Sequence, residues 1–468
     1  MTTPTTRARP ARSMTTLSAT GALGHEPIHA GSFYEGIKRP LDFIGADAGS
    51  GDSGPYFLGA DAPMNPEEWE RHDLELLLRA ARERNIPLVI GSAGGCGSNR
   101  GVDDYVRLIK DIAAQHKLPS FRLARIYSEV PLDYLRRRMA NEEIQPLGAD
   151  GPLTSRDLDA TSRVVAMMGV EPYLRVFESG ADVVIAGRSC DDAIYAALPI
   201  KHGFARGLAY HFGKTLECAS LVGTPSMAKE TIVGTITDEW VELEAMHPDQ
   251  RCTPESVAGH SLYERAHPYR QAYPGGVLDT SETRFEQVSD KATRFAGSKF
   301  IADPEYRLKL EGAGLVGYRA LTIGAVRDPF AIRTLDWVLD TTRGRVREQF
   351  GQLQEGAGKD YQIEFHEYGK NGVMQDLEPV KETAAHEICI VTEVIGRTQE
   401  IADLIARFAL YRLLFPTFAG QKATAGGIAM LRDEVLRGQP SYRWTVDHLL
   451  PVKDPLELYR IETEEVRR

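Results

Sequence analysis

A chain of 468 residues is long enough for two or three domains with large cores, and 42% hydrophobic with 26% charged residues is the composition of an ordinary globular protein. The formal net charge of −11 argues against nucleic acid as the main partner, since backbone binding needs basic patches. No apolar run reaches the roughly 18 residues of a membrane helix, and five scattered cysteines without CxxC spacing fit a reducing cytoplasm better than a disulfide framework.

Residues 1–30 are expected to be a disordered leader. The stretch TTPTTRARPARSMTTLSAT has no acidic residue, a composition shared with transit peptides, and Met14 is an alternative start. Residues 31–228 read as an α/β domain built on three units of strand followed by Gly-rich loop. The first is Asp42–Gly59, DFIGADAGSGDSGPYFLG, the second GSAGGCGSNRG after Val89-Ile90, and the third GRSCDDA after Val183 to Ala186. The apolar run Ile86–Ile90 is expected of a strand buried on both faces. Amphipathic helices are expected from Pro66 and over 102–117, with further helices over 136–143, 170–178 and 208–221 and one capped by Thr154 or Ser155. The expected fold class is therefore α/β, with a mostly parallel sheet carrying the Gly-rich loops at its strand carboxyl ends, where open sheets bind ligands. Residues 229–300 read as a β-rich insert or linker region, because TIVGTITDEWVELEAM alternates apolar and polar residues. Residues 301–432 mix strands and helices as a second, α+β domain, and 433–468 read as a polar, irregular tail.

The loops carry the candidate chemistry. Asp47 and Asp52 are placed to act as acid–base groups or to bind a hard cation, and turn chemistry alone also explains an aspartate there. Gly51 and Ser53 of the same loop, and Gly95, Gly97, Ser98 and Asn99 of the second, are candidates for cradling a substrate anion at a helix N-terminus. The competing reading is that these glycines only make tight turns. Arg188 suits a carboxylate or phosphate, with Asp191 and Asp192 beside it as partners or helix-capping groups. Cys96 stands at a presumed helix N-terminus, a place that lowers a thiol's pKa. His211, Lys214, Glu217 and Cys218 follow helical spacing, which puts His211, Lys214 and Cys218 on one face and offers a His211/Glu217 acid–base pair or half a metal site. Asn371 and Lys422 lie in later Gly-flanked turns from which they can reach a cleft between domains. Gly49 to Gly54 matches G-x-G-x-x-G, but Pro55 and the residues after it make a poor helix start, so neither nicotinamide nor flavin is expected. No P-loop and no HExxH occurs. The cofactor is left open, with a divalent metal as one option.

Eight stretches resemble the acyclic terpene utilisation family named after AtuA. They are GADAGSGDSGPYFLG, GSAGGCGSN, ADVVIAGRSCDDAIYAALPI, GLAYHFGKTLECASL, YPGGVLDTSETRFEQV, GYRALTIGAVRDP, YGKNGVMQDLEP and GQKATAGGIAML, in order from about residue 42 to 431. The resemblance implies a context of branched carboxylic acids or their CoA thioesters, and transfers no catalytic residue. Many such proteins carry a C-terminal ferredoxin-like segment or are encoded beside a small protein of that type, which implies a separate small subunit here. The expectation is an oligomeric cytoplasmic enzyme of the lyase, hydratase or isomerase class, with a carboxylate or acyl-CoA as its small-molecule partner. A non-catalytic acyl-CoA-binding or scaffold subunit working with the small partner is the alternative, and a hydrolase using Cys96 a third reading.

Overall fold

The computed structural model describes residues 12–51, 53–148, 151–382, 385–424, 427–431 and 435–468. Asp52 and the first eleven residues of the expected leader fall outside these. The chain divides into two units, residues 1–313 with 444–468, and residues 314–443.

The first unit is organised on a ten-stranded sheet. Its centre is five parallel strands in the spatial order Ser13–Ser18, Phe43–Asp47, Leu88–Gly91, Val183–Ala186 and Phe121–Tyr127. Phe43–Asp47, Leu88–Gly91 and Val183–Ala186 are buried along their whole length, which is why they read as unbroken apolar runs. Alternate side chains serve opposite layers. Phe43, Val89 and Val184 enter a core with Tyr195 and Phe212, whereas Ile44, Leu88, Ile90, Val183 and Ile185 enter one with Leu77 and Ile109. Helices Glu67–Arg84 and Asn99–Gln115 therefore cover one face, and Asp191–Lys201 and Arg206–Leu216 the other. A Cβ on Gly45 would lie 2.4 Å from the Tyr195 ring, so glycine there lets the Asp191–Lys201 helix seat against the sheet.

The expectation of a mostly parallel sheet is corrected. Antiparallel strands flank the parallel centre: Ile232–Thr237, Val241–Ala245, Ala292–Ala296 and Arg284–Gln287 on one side, Arg460–Val466 on the other. The strand pattern with one wet face read from TIVGTITDEWVELEAM is met by two paired strands of this sheet, Ile232–Thr237 and Val241–Ala245, of which the first is buried at nearly every position and has no wet face. Two polar segments are also corrected. Ser13–Ser18, in the expected leader, is an interior strand, because threonine is β-branched and pairs as readily as valine. The expected irregular tail contains strands Ser441–Val452 and Arg460–Val466, the latter antiparallel to Phe121–Tyr127. A half-exposed edge strand needs no apolar run, so its sequence hides it. Tyr56–Ala60, thought a poor helix start, forms one short turn of helix behind Pro55, whose φ of −76° is helical already.

In the second unit, strand Tyr361–Tyr368 pairs with Ile388–Gly396, which pairs with Tyr318–Val326 of a long strand that begins at Tyr306. Helices Leu335–Gln349 and Gln399–Leu414 pack on this sheet through Val346, Phe350, Ile405 and Ala409. Asn371 lies there in a tight turn, its amide donating to the Glu367 carbonyl at 3.2 Å, and Lys422 is an exposed loop residue.

Candidate active site

The carboxyl ends of two central strands open on one cavity of about 960 Å³ in the first unit, with a third strand end beside them. Asp47 is the last residue of its strand, Ser92 follows Gly91 directly, and Arg188 stands two residues after Ala186. This is the end at which parallel sheets leave backbone and loops open to a ligand, and the insertion of Val183–Ala186 between Leu88–Gly91 and Phe121–Tyr127 parts the loops there.

Arg188 organises the corner. Its Nε donates to Glu311 Oε2 at 2.7 Å, its Nη2 to Glu311 Oε1 at 3.4 Å and its Nη1 to Ser92 Oγ at 3.5 Å, with Asp191 Oδ1 3.7 Å away. The backbone amide of Arg188 donates to Ser128 Oγ at 2.7 Å and to the Gly97 carbonyl at 3.2 Å. Lys309 Nζ adds a second cation 3.0 Å from Glu311 Oε1. Burial works against the Glu311 carboxylate, but Arg188 and Lys309 hold it down at about 2. Arg188 is thus committed to carboxylates of its own chain, and is not free to receive a substrate anion.

Asp47 and Asp191 are different. Asp47 is 2% exposed, and one oxygen of each carboxyl, Oδ1 in both, is buried with no hydrogen-bond partner. A polar atom left so typically costs about 1–3 kcal/mol. Both residues line the cavity. Burial pushes Asp47 well above the usual carboxylate range, the Asp191 charge pushes it further, and Arg188 opposes. Burial lifts Asp191 to about 7 against the pull of Arg188. Two neighbouring carboxyls that are both lifted in this way are suited to proton exchange, one giving a proton while the other takes one.

A second cluster stands on another wall. Lys214 Nζ donates to Glu217 Oε1 at 2.6 Å, and His260 Nε2 is 3.7 Å from the same oxygen. Burial opposes the Glu217 charge, yet His260 and Lys214 hold it at about 2. Asp192, lifted to about 6 by burial against the pull of Lys214, accepts from the Tyr273 hydroxyl and is not part of the cavity wall.

The other expected site residues separate clearly. Gly51 and Ser53 line the cavity. His211 does not: it is fully buried, its Nδ1 lies 2.6 Å from Ser298 Oγ and its Nε2 2.8 Å from Ser261 Oγ, and its ring packs on Phe295. Burial holds it well below the usual histidine range, so a neutral, hydroxyl-bonded imidazole replaces the expected His211/Glu217 pair. The second Gly-rich loop is filled by the protein. Ser98 caps the Asn99–Gln115 helix by accepting from the Gly101 amide, and the Asn99 amide donates to Glu129 Oε1 at 2.7 Å, which is where a substrate anion was expected. Gly97 has φ +68°, and a Cβ on it would meet the Arg188 nitrogen at 2.2 Å; Gly95 has φ +92° and accepts from the Ser50 amide. Cys96 packs against Leu58, Val165 and Ala313, and burial pushes its thiol up, not down. Asn371 and Lys422 belong to the second unit. Sequence reading missed Glu311, Lys309 and His260. Glu311 and His260 become significant only through partners distant in the chain, and Lys309 through Glu311 two residues on, and no local pattern marks them.

Among the described residues the cavity wall carries Glu26, Asp47, Asp191, Glu217, Glu264, Glu311 and Asp447 against Arg188, Lys229 and Lys309. Fold and site define an α/β protein with an acidic, polar pocket at the carboxyl ends of its parallel strands. The chain belongs to the acyclic terpene utilisation family AtuA, whose family model matches residues 16–436. No curated protein and no solved structure matches it. Membership suggests a role in acyclic terpene utilisation. No helix among the described residues is long and apolar enough to cross a membrane.

Proposed function

We propose that the chain is an enzyme of the lyase, hydratase or isomerase class, acting on a branched acyl compound through proton transfer by Asp47 and Asp191. The observation that carries this reading is a pair of carboxyls on the wall of a polar cavity, Asp47 buried and Asp191 about one-third exposed, each with one buried oxygen that makes no hydrogen bond. Removing a proton beside a carbonyl, or adding and removing water across a double bond, needs one group that accepts a proton and one that donates it. Asp47, held higher by burial and by its neighbour, is the acid. Asp191, half ionised near neutral pH, is the base.

The acidic wall also narrows the substrate. Seven carboxyls against three cationic side chains disfavour a free carboxylate docked beside Asp47, because like charges repel strongly at low dielectric. A CoA thioester presents a neutral carbonyl to the same place and leaves its anionic part outside. The thioester is therefore the better fit of the two substrate forms.

The test is hydrogen exchange in D2O with a panel of branched acyl-CoA thioesters and the matching free acids, followed by mass spectrometry. Deuterium is expected at the carbon next to the thioester with the wild type. A single Asp47→Asn or Asp191→Asn change should slow incorporation by about 10²–10⁴-fold. Exchange at the wild-type rate in both variants sinks the assignment, as does exchange in the free acids alone.

A further inference from the structure

The cavity has a second chemically distinct corner that proton transfer by Asp47 and Asp191 does not use. Glu217, Cys218 and His260 each present one ligand atom, and these atoms all lie within 4.8 Å of one another. Glu217 and Cys218 line the cavity. His260 arrives from a separate helix, Pro254–Ser261, and its Nε2 is buried with no hydrogen-bond partner, the whole side chain being 5% exposed. A buried imidazole nitrogen that makes no hydrogen bond, with the Glu217 carboxylate as its ion-pair partner at 3.7 Å, is the independent sign of a place for a ligand. Gly21 fixes the place of the cysteine: a Cβ there would lie 2.7 Å from the Cys218 Cα.

We propose that Glu217, Cys218 and His260 form a three-residue site for a zinc-like divalent transition metal, open toward the cavity at its fourth position. The donor set decides the metal class. One thiolate, one imidazole and one carboxylate suit zinc and its neighbours, whereas calcium and magnesium take oxygen alone. Bonds of about 2.0–2.3 Å around a tetrahedral zinc separate the ligand atoms by roughly 3.3–3.7 Å, inside the 4.8 Å that bounds their present separations. Lys214 stays on Glu217 Oε1 as the outer partner that orients the carboxylate, leaving Oε2 for the metal. Binding forms a metal–sulfur bond and breaks the Cys218 S–H bond, and that proton leaves to solvent. Asp191, Asp192 and Glu264 all face the Lys214–Glu217 pair, and their negative field attracts the cation. The site stands apart from the acid–base reading, and failure of one leaves the other standing.

The experiment uses the full chain stripped with a chelator and titrated with Co2+, then with Zn2+. One Co2+ per chain is expected, with a thiolate-to-cobalt band in the near ultraviolet, and Zn2+ binding should release one proton. Cys218→Ala should remove the band, His260→Gln should weaken uptake by about tenfold or more, and Asp47→Asn should leave the spectrum unchanged. An independent readout uses the wild type: Zn2+ should slow iodoacetamide labelling of Cys218 by about tenfold while Cys389, in the second unit, reacts as before. A chain that takes up no Co2+, a spectrum without the thiolate band, a band that survives Cys218→Ala or labelling of Cys218 indifferent to Zn2+ each overturns the proposal.

Discussion

The two Gly-rich loops after Asp47 and after Gly91 look alike in sequence and differ in what they leave undone. The loop over Ser92–Asn99 is largely filled by its own chain, although the buried Asn99 Oδ1 has no hydrogen-bond partner. Its glycines admit the backbone of Arg188 and the Ser50 amide, its Ser98 caps a helix, and the amide best placed for an anion already holds Glu129. The strand end at Asp47 instead leaves a buried carboxyl oxygen without a partner, facing a cavity. Glycine richness alone therefore marks close approach of backbones. An unsatisfied polar atom on a cavity wall is the stronger mark of a site: Asp47 lines the cavity, whereas Asn99 of the second loop, also with an unpartnered oxygen, does not.

The contrast is broken most severely at Glu311. Glu311→Ala leaves Arg188, buried and 2.7 Å from the lost carboxylate, without its main partner, and should cost about 3–5 kcal/mol in urea unfolding. The same carboxylate gives a pH signature. Its folded pKa is depressed, to about 2, so its contribution is complete above the ordinary glutamate value and is lost as pH falls from about 4.5 toward 2. A Glu311→Ala chain as stable as the wild type at neutral pH refutes the role given to Arg188. Next comes Gly97→Ala, which places a Cβ 2.2 Å from the Arg188 nitrogen at a φ of +68°; a loss of about 2–3 kcal/mol is expected. Gly51→Ala meets nothing within 4 Å and should change the unfolding midpoint by less than about 0.5 kcal/mol. Equal losses at the two glycines would erase the distinction between the loops.

Asp191→Asn sharpens it from the other side. The folded pKa of Asp191 is raised, so its burial costs nothing at low pH and the cost grows as pH rises from about 4 to about 7. The variant should gain stability over the wild type across that window and no further above it. With the side chain about one-third exposed, the gain is on the order of 1 kcal/mol. A gain independent of pH would mean that Asp191 stays ionised in the folded chain.

What the sequence made legible follows from what kind of signal each element carries. The strands through Ile44, Val89 and Val184 are buried on both faces, so unbroken apolar runs reveal them. Thr154 announces its helix, since the capping box with Asp157 is local. Asp47, Arg188 and Asp191 could be singled out as candidates because each follows a buried strand in polar sequence, Asp47 at a strand end, Arg188 in the loop after Ala186 and Asp191 at the start of the next helix. The strand Arg460–Val466 was not readable, because an edge strand of alternating charge differs little from a solvated tail. His211 misled for a related reason: helical spacing shows which residues share a face, but not that Ser261 and Ser298 occupy both ring nitrogens. His260 and Glu311 are defined by pairing across 43 and 123 residues of sequence respectively, counting from Glu217 and Arg188, and nothing beside them in the chain records it.

The smallest expected effect on turnover falls on the residue that looked most reactive. Cys96 lies between glycines at the start of the Asn99–Gln115 helix, where the dipole should favour a thiolate. The helix end is already answered by Ser98 and by the Glu129 carboxylate, so little of its field is left for the sulfur. Burial against Leu58, Val165 and Ala313 then disfavours the charge and raises the thiol. Cys96→Ala should cost about 1 kcal/mol or less for the lost packing, leave exchange of the acyl-CoA substrate at the wild-type rate, and remove no fast-labelling thiol. A Cys96→Ala chain that folds like the wild type but has lost turnover would show the sulfur to be a nucleophile. The second loop would then be a working part of the site, and Asp47 would no longer be what distinguishes the two.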